Sequence, residues 1–161
     1  MLPWDRLDEP GPAGVAAWLA DLNRVYRTYP ALHRRDGDAG GMEWIMADDR
    51  DHSVIVFLRH GALGDPTVMV ACNFTPLPRH HYRVGLPRPG RWRELLNSDA
   101  AHYGGGGVGN LGEILAEAEP WHGRPASASL TVPPLGCVYL IWAPIEEDPA
   151  QAATTEAAAA A

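Results

Sequence analysis

Histidines stand at positions 33, 52, 60, 80, 81, 102 and 122, and serines at 53, 98, 127 and 129. Imidazoles act as metal ligands or general bases, and a serine becomes a nucleophile beside such a base. No histidine pair has ligand spacing next to a third ligand, so no metal site is expected. No serine sits in a Gly-x-Ser-x-Gly elbow. In a strand, the adjacent His80 and His81 would send their rings to opposite faces. Carboxylates are paired at Asp8/Glu9, Asp48/Asp49 and Glu146/Glu147, each in a polar stretch. A carboxyl acting as a general acid at neutral pH needs burial or a like-charged neighbour to raise its pKa. These pairs read as solvated charge, and no catalytic residue is assigned.

The run Gly104-Gly105-Gly106-Gly107-Val108-Gly109 invites a phosphate-binding reading. That fingerprint needs a strand before it and a helix after it. No helical period follows, so the run reads as a flexible loop or tight turn. All thirteen positive residues are arginine. A Schiff-base lysine and a P-loop are therefore excluded. Cys72 and Cys137 are far apart in sequence and lie in apolar surroundings, which predicts free, buried thiols. They form neither a disulfide framework nor a metal motif. No cofactor is expected.

Six tryptophans occur. Trp18 falls on a helical stripe, and Trp44 and Trp142 fall in strands; all three are expected in the core. Trp121 lies in a turn-like Pro-Trp-His-Gly setting. There it either anchors its loop or offers an aromatic face to a sugar ring. The only long irregular stretch is Asn97–Gly123. Binding residues concentrate on loops held by rigid scaffolds. Any sugar contact is therefore placed here, with Tyr103 and Trp121 as stacking residues. Asn97, Asp99, Asn110 and His122 are the polar groups close by in sequence.

These groups must be positioned by the elements around them. Val15, Trp18, Leu19, Leu22, Val25, Tyr26 and Tyr29 form one apolar stripe at the 3.6-residue period. This predicts a helix over 12–29, opened by Pro12 and closed before Pro30. Such a helix must dock on something to persist. Its opposite surface would then be left partly uncovered. After Asp36-Gly37-Asp38 the pattern changes to strands: Glu43–Met46, Ser53–Arg59, Thr67–Phe74, His81–Val84, Arg91–Leu96, Ser127–Val132 and Cys137–Trp142. Seven strands separated by turn signals predict an antiparallel sandwich or barrel. From Glu146 the chain is acidic and then Ala/Thr-rich, which reads as a disordered tail.

A chain of 161 residues has room for one ordinary domain. Its net charge of −7 argues against nucleic acid and against an anionic membrane surface. No apolar run approaches the roughly 18 residues that cross a bilayer. The first residues carry no apolar signal core, so a cytoplasmic setting is expected.

The strings themselves resemble a known family. They are Asp21-Leu-Asn-Arg-Val-Tyr-Arg-Thr-Tyr-Pro-Ala-Leu-His33, Met42-Glu-Trp-Ile45, Cys72-Asn-Phe-Thr-Pro-Leu-Pro-Arg-His80, Tyr82-Arg-Val-Gly-Leu-Pro-Arg-Pro-Gly-Arg-Trp-Arg-Glu-Leu-Leu-Asn-Ser-Asp99, Tyr103-Gly-Gly-Gly-Gly-Val-Gly-Asn110 and Trp121-His-Gly-Arg-Pro125. In this order they resemble the C-terminal end of bacterial 1,4-α-glucan (glycogen) branching enzymes, from about Leu2 to Trp142. The resemblance implies a mainly β chain: an antiparallel β-sandwich like an α-amylase C-terminal domain, preceded by one amphipathic helix. That helix resembles the last helix of a (β/α)8 barrel. Residues 1–38 would be a remnant of the barrel, 39–144 the sandwich and 145–161 the tail. The family performs a retaining glucan transfer with two carboxylates about 5 Å apart. A barrel needs about 250 residues, and no residue here matches the family's catalytic motifs. The implied protein is a C-terminal portion that is not catalytic alone, with α-glucan as at most a weak ligand and the missing barrel as partner in cis or trans. The alternative is a stand-alone glucan-binding or structural β-sandwich module.

Overall fold

The computed structural model describes Arg6 and residues 9–143. The expected tail over 145–161 lies outside the described residues. Helix α1 runs Pro10–Thr28, with proline in its first turn as the fixed φ of that residue allows. It stops at Tyr29, whose extended backbone leads into Pro30 and whose N–H still reaches the Val25 carbonyl at 3.0 Å.

The helix uses less of its apolar stripe than its period predicts. Val25 is buried, but Val15, Leu19 and Tyr26 are 59%, 50% and 45% exposed. The reason is where it docks. Its N-terminal half meets a 3-10 turn at Ala101–Tyr103 rather than a broad sheet face. Gly14 is buried there, and a methyl group at that position would collide with the Tyr103 carbonyl. Trp18 is half-buried rather than in the core as expected, because it sits on the helix face that meets this turn, edge-on to the Tyr103 ring at 5.2 Å between centroids. The stripe was expected to dock on a face of the sandwich and leave the opposite surface open; instead the helix meets a turn, and the stripe itself is left partly uncovered.

The strands build two antiparallel sheets. The larger has the order β1 (Met42–Asp49), β2 (Val54–Arg59), β3 (Val68–Asn73), β8 (Gly136–Trp142), β5 (Gly90–Asn97) and β6 (Glu113–Ala116). The smaller pairs β4 (Arg79–Leu86) with β7 (Ala126–Val132). The fold is mainly β and antiparallel, preceded by one helix, as expected. Between the sheets lies the main core, built from Val54, Val56 and Leu58 of β2, Met69 of β3, Leu86 of β4, Trp92 of β5 and Leu140 of β8. The outer face of the large sheet carries a second cluster, in which Val68, Val70 and Ile141 are covered by Ala31, Tyr29 and Leu32.

Four further expectations are corrected. An eighth strand, β6, lies within the stretch read as an irregular loop. Only four residues long, it alternates exposed and buried side chains and pairs with β5 at the sheet edge. Trp44 is 51% exposed rather than in the core, because β1 is an edge strand with a register shift after Trp44. Its ring rests edge-on against Phe57, 5.6 Å away. Trp142 is half-buried, packed beside the main core with its Nε1 donating to the Pro89 carbonyl at 3.1 Å. Cys72 and Cys137 are free but half-buried, and they face each other across β3 and β8.

Candidate glucan-binding cleft

The structure separates the two proposed stacking residues. Tyr103 is occupied by α1: its hydroxyl donates to Asp21 Oδ2 at 2.7 Å, and its ring meets Trp18 edge-on and the tilted ring of His102. Burial, then the Asp21 hydrogen bond, push its pKa up to about 12. The polar residues of its loop are occupied too. Asn97 Nδ2 donates to the Val108 carbonyl at 2.9 Å, and Asn110 bonds the backbone of Thr131 in both directions. The glycine run does cradle an anion, but the anion is the protein's own. The Asp99 carboxylate accepts from the N–H groups of Gly106 and Val108, each at 2.9 Å.

Trp121 is different. It is 42% exposed and stands in an open cleft of about 590 Å³ with Asp49, His52, His81, Tyr82, Arg83 and His122 among its walls. The arginine lies over the indole, its Cζ 4.8 Å from the ring centroid. Ion pairing to Glu119 and hydrogen bonds to Ser127 Oγ at 3.0 and 3.2 Å hold Arg83 in place. Beneath Trp121, Gly85 leaves room that a Cβ would fill, against the Trp121 carbonyl.

Two local distortions aim side chains at this cleft. The β4–β7 register shifts between Arg79 and Tyr82, and His81 takes a φ of +54°. This bulge breaks the alternation that was to place His80 and His81 on opposite faces; both are exposed and both line the cleft. His122 also has a positive φ, +49°. Such backbone is costly for a residue with a Cβ and clusters at ligand sites.

The Asp48/Asp49 pair is likewise not simply solvated. Asp49 is half-buried, accepting from the Tyr82 hydroxyl at 2.7 Å and lying 2.9 Å from His52 Nδ1. Burial pushes its pKa up, but the hydrogen bonds from Tyr82 and His52 outweigh this and hold the carboxyl below its ordinary value. Burial lowers His122, favouring its neutral ring. The cleft thus offers a partly exposed indole with Arg83 over one part of it, one ionised carboxylate and several imidazoles. Glu94, the carboxyl whose pKa burial raises, is not among the residues lining it. An acid and a carboxylate nucleophile do not meet here, whereas sugar binding needs only the aromatic face and its polar rim.

Sequence reasoning missed Asp49, His52, Tyr82 and Arg83 as neighbours of Trp121. They come from β1, the β1–β2 turn and β4, and no local spacing connects them. Among the described residues, no group of three or more histidines, cysteines or carboxylates is arranged to hold a metal.

Comparison with known proteins fixes the context. A sequence model of the alpha amylase, C-terminal all-beta domain matches residues 44–143, which begin in β1 and end just after β8. The chain belongs to this family. The chain is also similar to part of longer proteins. It is 54% identical over 139 residues to the 1,4-alpha-glucan branching enzyme GlgB of Cereibacter sphaeroides, covering 86% of this chain and 19% of that one. It is 49% identical, with the same coverage, to 1,4-alpha-glucan branching enzyme GlgB 1 of Xanthomonas axonopodis pv. citri. The corresponding enzyme of Burkholderia vietnamiensis is 53% identical over 137 residues, 85% of this chain and 19% of its own length. The chain spans about a fifth of the length of these curated relatives. No helix among the described residues is long and apolar enough to cross a membrane.

Proposed function

We propose that the chain serves as the C-terminal all-β portion of a cytoplasmic 1,4-α-glucan branching enzyme, without carrying the transfer chemistry itself. The observation that carries this reading is the 48–54% identity to such enzymes over most of this chain and only a fifth of theirs. In this reading residues 1–38, with α1, belong to the edge of the catalytic barrel. The exposed Val15, Leu19 and Tyr26 surface faces the rest of that barrel. Residues 39–144 are the sandwich.

The isolated chain is expected to show no branching or hydrolytic activity. Amylose incubated with it should keep its iodine colour at the level of a buffer control. A loss of colour above that control would show catalytic groups in this domain and overturn the reading.

Trp121 is the proposed contact with α-glucan, and Tyr103 is reassigned to anchoring α1. A sugar ring stacked on Trp121 would have the Asp49, His52 and His81 side chains within the same cleft. Binding is expected to be weak, millimolar or poorer, with a free energy no more favourable than about −4 kcal/mol. Maltoheptaose should change the tryptophan fluorescence of the native chain at tens of millimolar. The change should be abolished in Trp121→Ala. An unchanged response in that variant would remove Trp121 from the site.

A further inference from the structure

The geometry of β3 and β8 points to a use for the two cysteines. We propose that Cys72 and Cys137 form a reversible dithiol–disulfide site, closed by a low-molecular-weight disulfide. The two residues are register partners on adjacent antiparallel strands. The kind of pair decides whether they can be bridged. The Cys137 carbonyl accepts from the Ser98 N–H at 3.0 Å, and the Cys137 N–H donates to Ser98 Oγ at 2.8 Å. Both backbone groups of Cys137 are therefore turned toward Ser98, at the end of β5, and away from β3.

The rest of the ladder agrees. The Trp142 N–H reaches the Thr67 carbonyl, so this pair is hydrogen-bonded. Counting inward along the register, the bonded pairs then fall at Met69/Leu140 and Ala71/Val138. Cys72/Cys137 is a non-hydrogen-bonded pair. In such pairs the Cα atoms are about 4.5 Å apart and the side chains are at their closest. That separation lies within the roughly 4.4–6.8 Å a disulfide spans. No backbone movement is required.

The surroundings permit the reaction. Both thiols are half-buried, on the outer face of the large sheet rather than in the core between the sheets. A bridge would therefore leave the packing around Trp92 untouched. Cys137 is the better nucleophile. Hydrogen bonding with Cys72 holds its thiol below the ordinary value, whereas that same contact and burial push Cys72 up. The Cys137 thiolate attacks one sulfur of the small disulfide and expels one small thiolate, leaving a mixed disulfide. Cys72 then loses its proton to solvent and attacks Cys137 Sγ, expelling the second. Two protons leave the protein, two electrons pass to the small disulfide, and two small thiols are released.

The test uses the whole 161-residue chain, equilibrated with oxidised glutathione as the probe. Intact mass should fall by two hydrogens with no adduct, both thiols should disappear from titration, and added reductant should restore them. The melting temperature of the oxidised chain should rise by on the order of 10 °C, since the bridge closes a long loop. Cys72→Ser, lacking the resolving thiol, should instead hold a glutathione adduct on Cys137. Two titratable thiols persisting in the native chain, adducts on it in place of a bridge, or disulfide-linked dimers would each overturn the proposal.

Discussion

Trp92→Ala is expected to destabilise the protein by about 3–5 kcal/mol, the range for removing a fully buried aromatic side chain. Trp92 is completely buried and heads the largest fully buried side chains. It sits on β5 and packs among residues of both sheets. Its Nε1 donates to the Arg88 carbonyl at 3.2 Å, so the indole is satisfied as well as enclosed. Truncation leaves a cavity between the sheets that neither β-sheet can collapse to fill, and it orphans the Arg88 carbonyl. For a chain of this length the loss corresponds to a fall in melting temperature of about 10 °C or more. The comparison that checks it is Trp121→Ala, on an exposed rim, which should shift the midpoint by a few degrees at most. Equal shifts for the two variants would mean that Trp92 is not the centre of the core.

Asn73→Ala is the second large effect, with an expected cost of about 3 kcal/mol. Asn73 is 2% exposed at the end of β3. Its Nδ2 donates to the carbonyls of Leu77 at 2.8 Å and Pro133 at 3.0 Å, and its Oδ1 accepts from the N–H and hydroxyl of Thr75. One side chain thus closes the turn from 73 to 78 and ties it to the turn before β8. Alanine leaves these partners unpaired in a partly buried setting, where each lost bond costs more than it would in solvent. Urea unfolding of Asn73→Ala against Thr75→Ala separates the contributions. Thr75 takes part in only some of these bonds, so its variant should lose about 1 kcal/mol. A smaller loss in Asn73→Ala than in Thr75→Ala would overturn the assignment of Asn73 as the hub. The Asn73-Phe-Thr-Pro string carried part of the family resemblance, and this bonding is the physical reason its asparagine and threonine belong together.

How much of this was legible in the residues depends on how local each signal is. The run Ser53–Arg59 is β-branched and apolar, and it becomes β2 almost at the predicted bounds. Val15 to Tyr29 has helical period and lies between prolines, and it becomes α1 with its end at Thr28. Glycine and proline marked the turns that lead into β5 and β8, at 87–90 and 133–136. These features rest on interactions within a few residues, so the sequence alone determined them. It also determined the family, because its strings follow one another in a shared order.

Only the tertiary structure decided which elements are neighbours. Strand β8 comes last in the chain yet lies between β3 and β5, and this placement brings Cys72 opposite Cys137. Strand β6 is too short to show a period of its own and exists because β5 offers it an edge. Period showed that Val15, Leu19 and Tyr26 share a face, but the docking turn at Ala101–Tyr103 left that face partly open. Asp49, Tyr82 and Trp121 come from three separate segments, and a bulge with His81 in left-handed backbone turns β4 toward them. Periodicity states which side chains point the same way along one element. Strand order and register depend on pairings between distant segments, and those are set by how the two sheets close over Trp92.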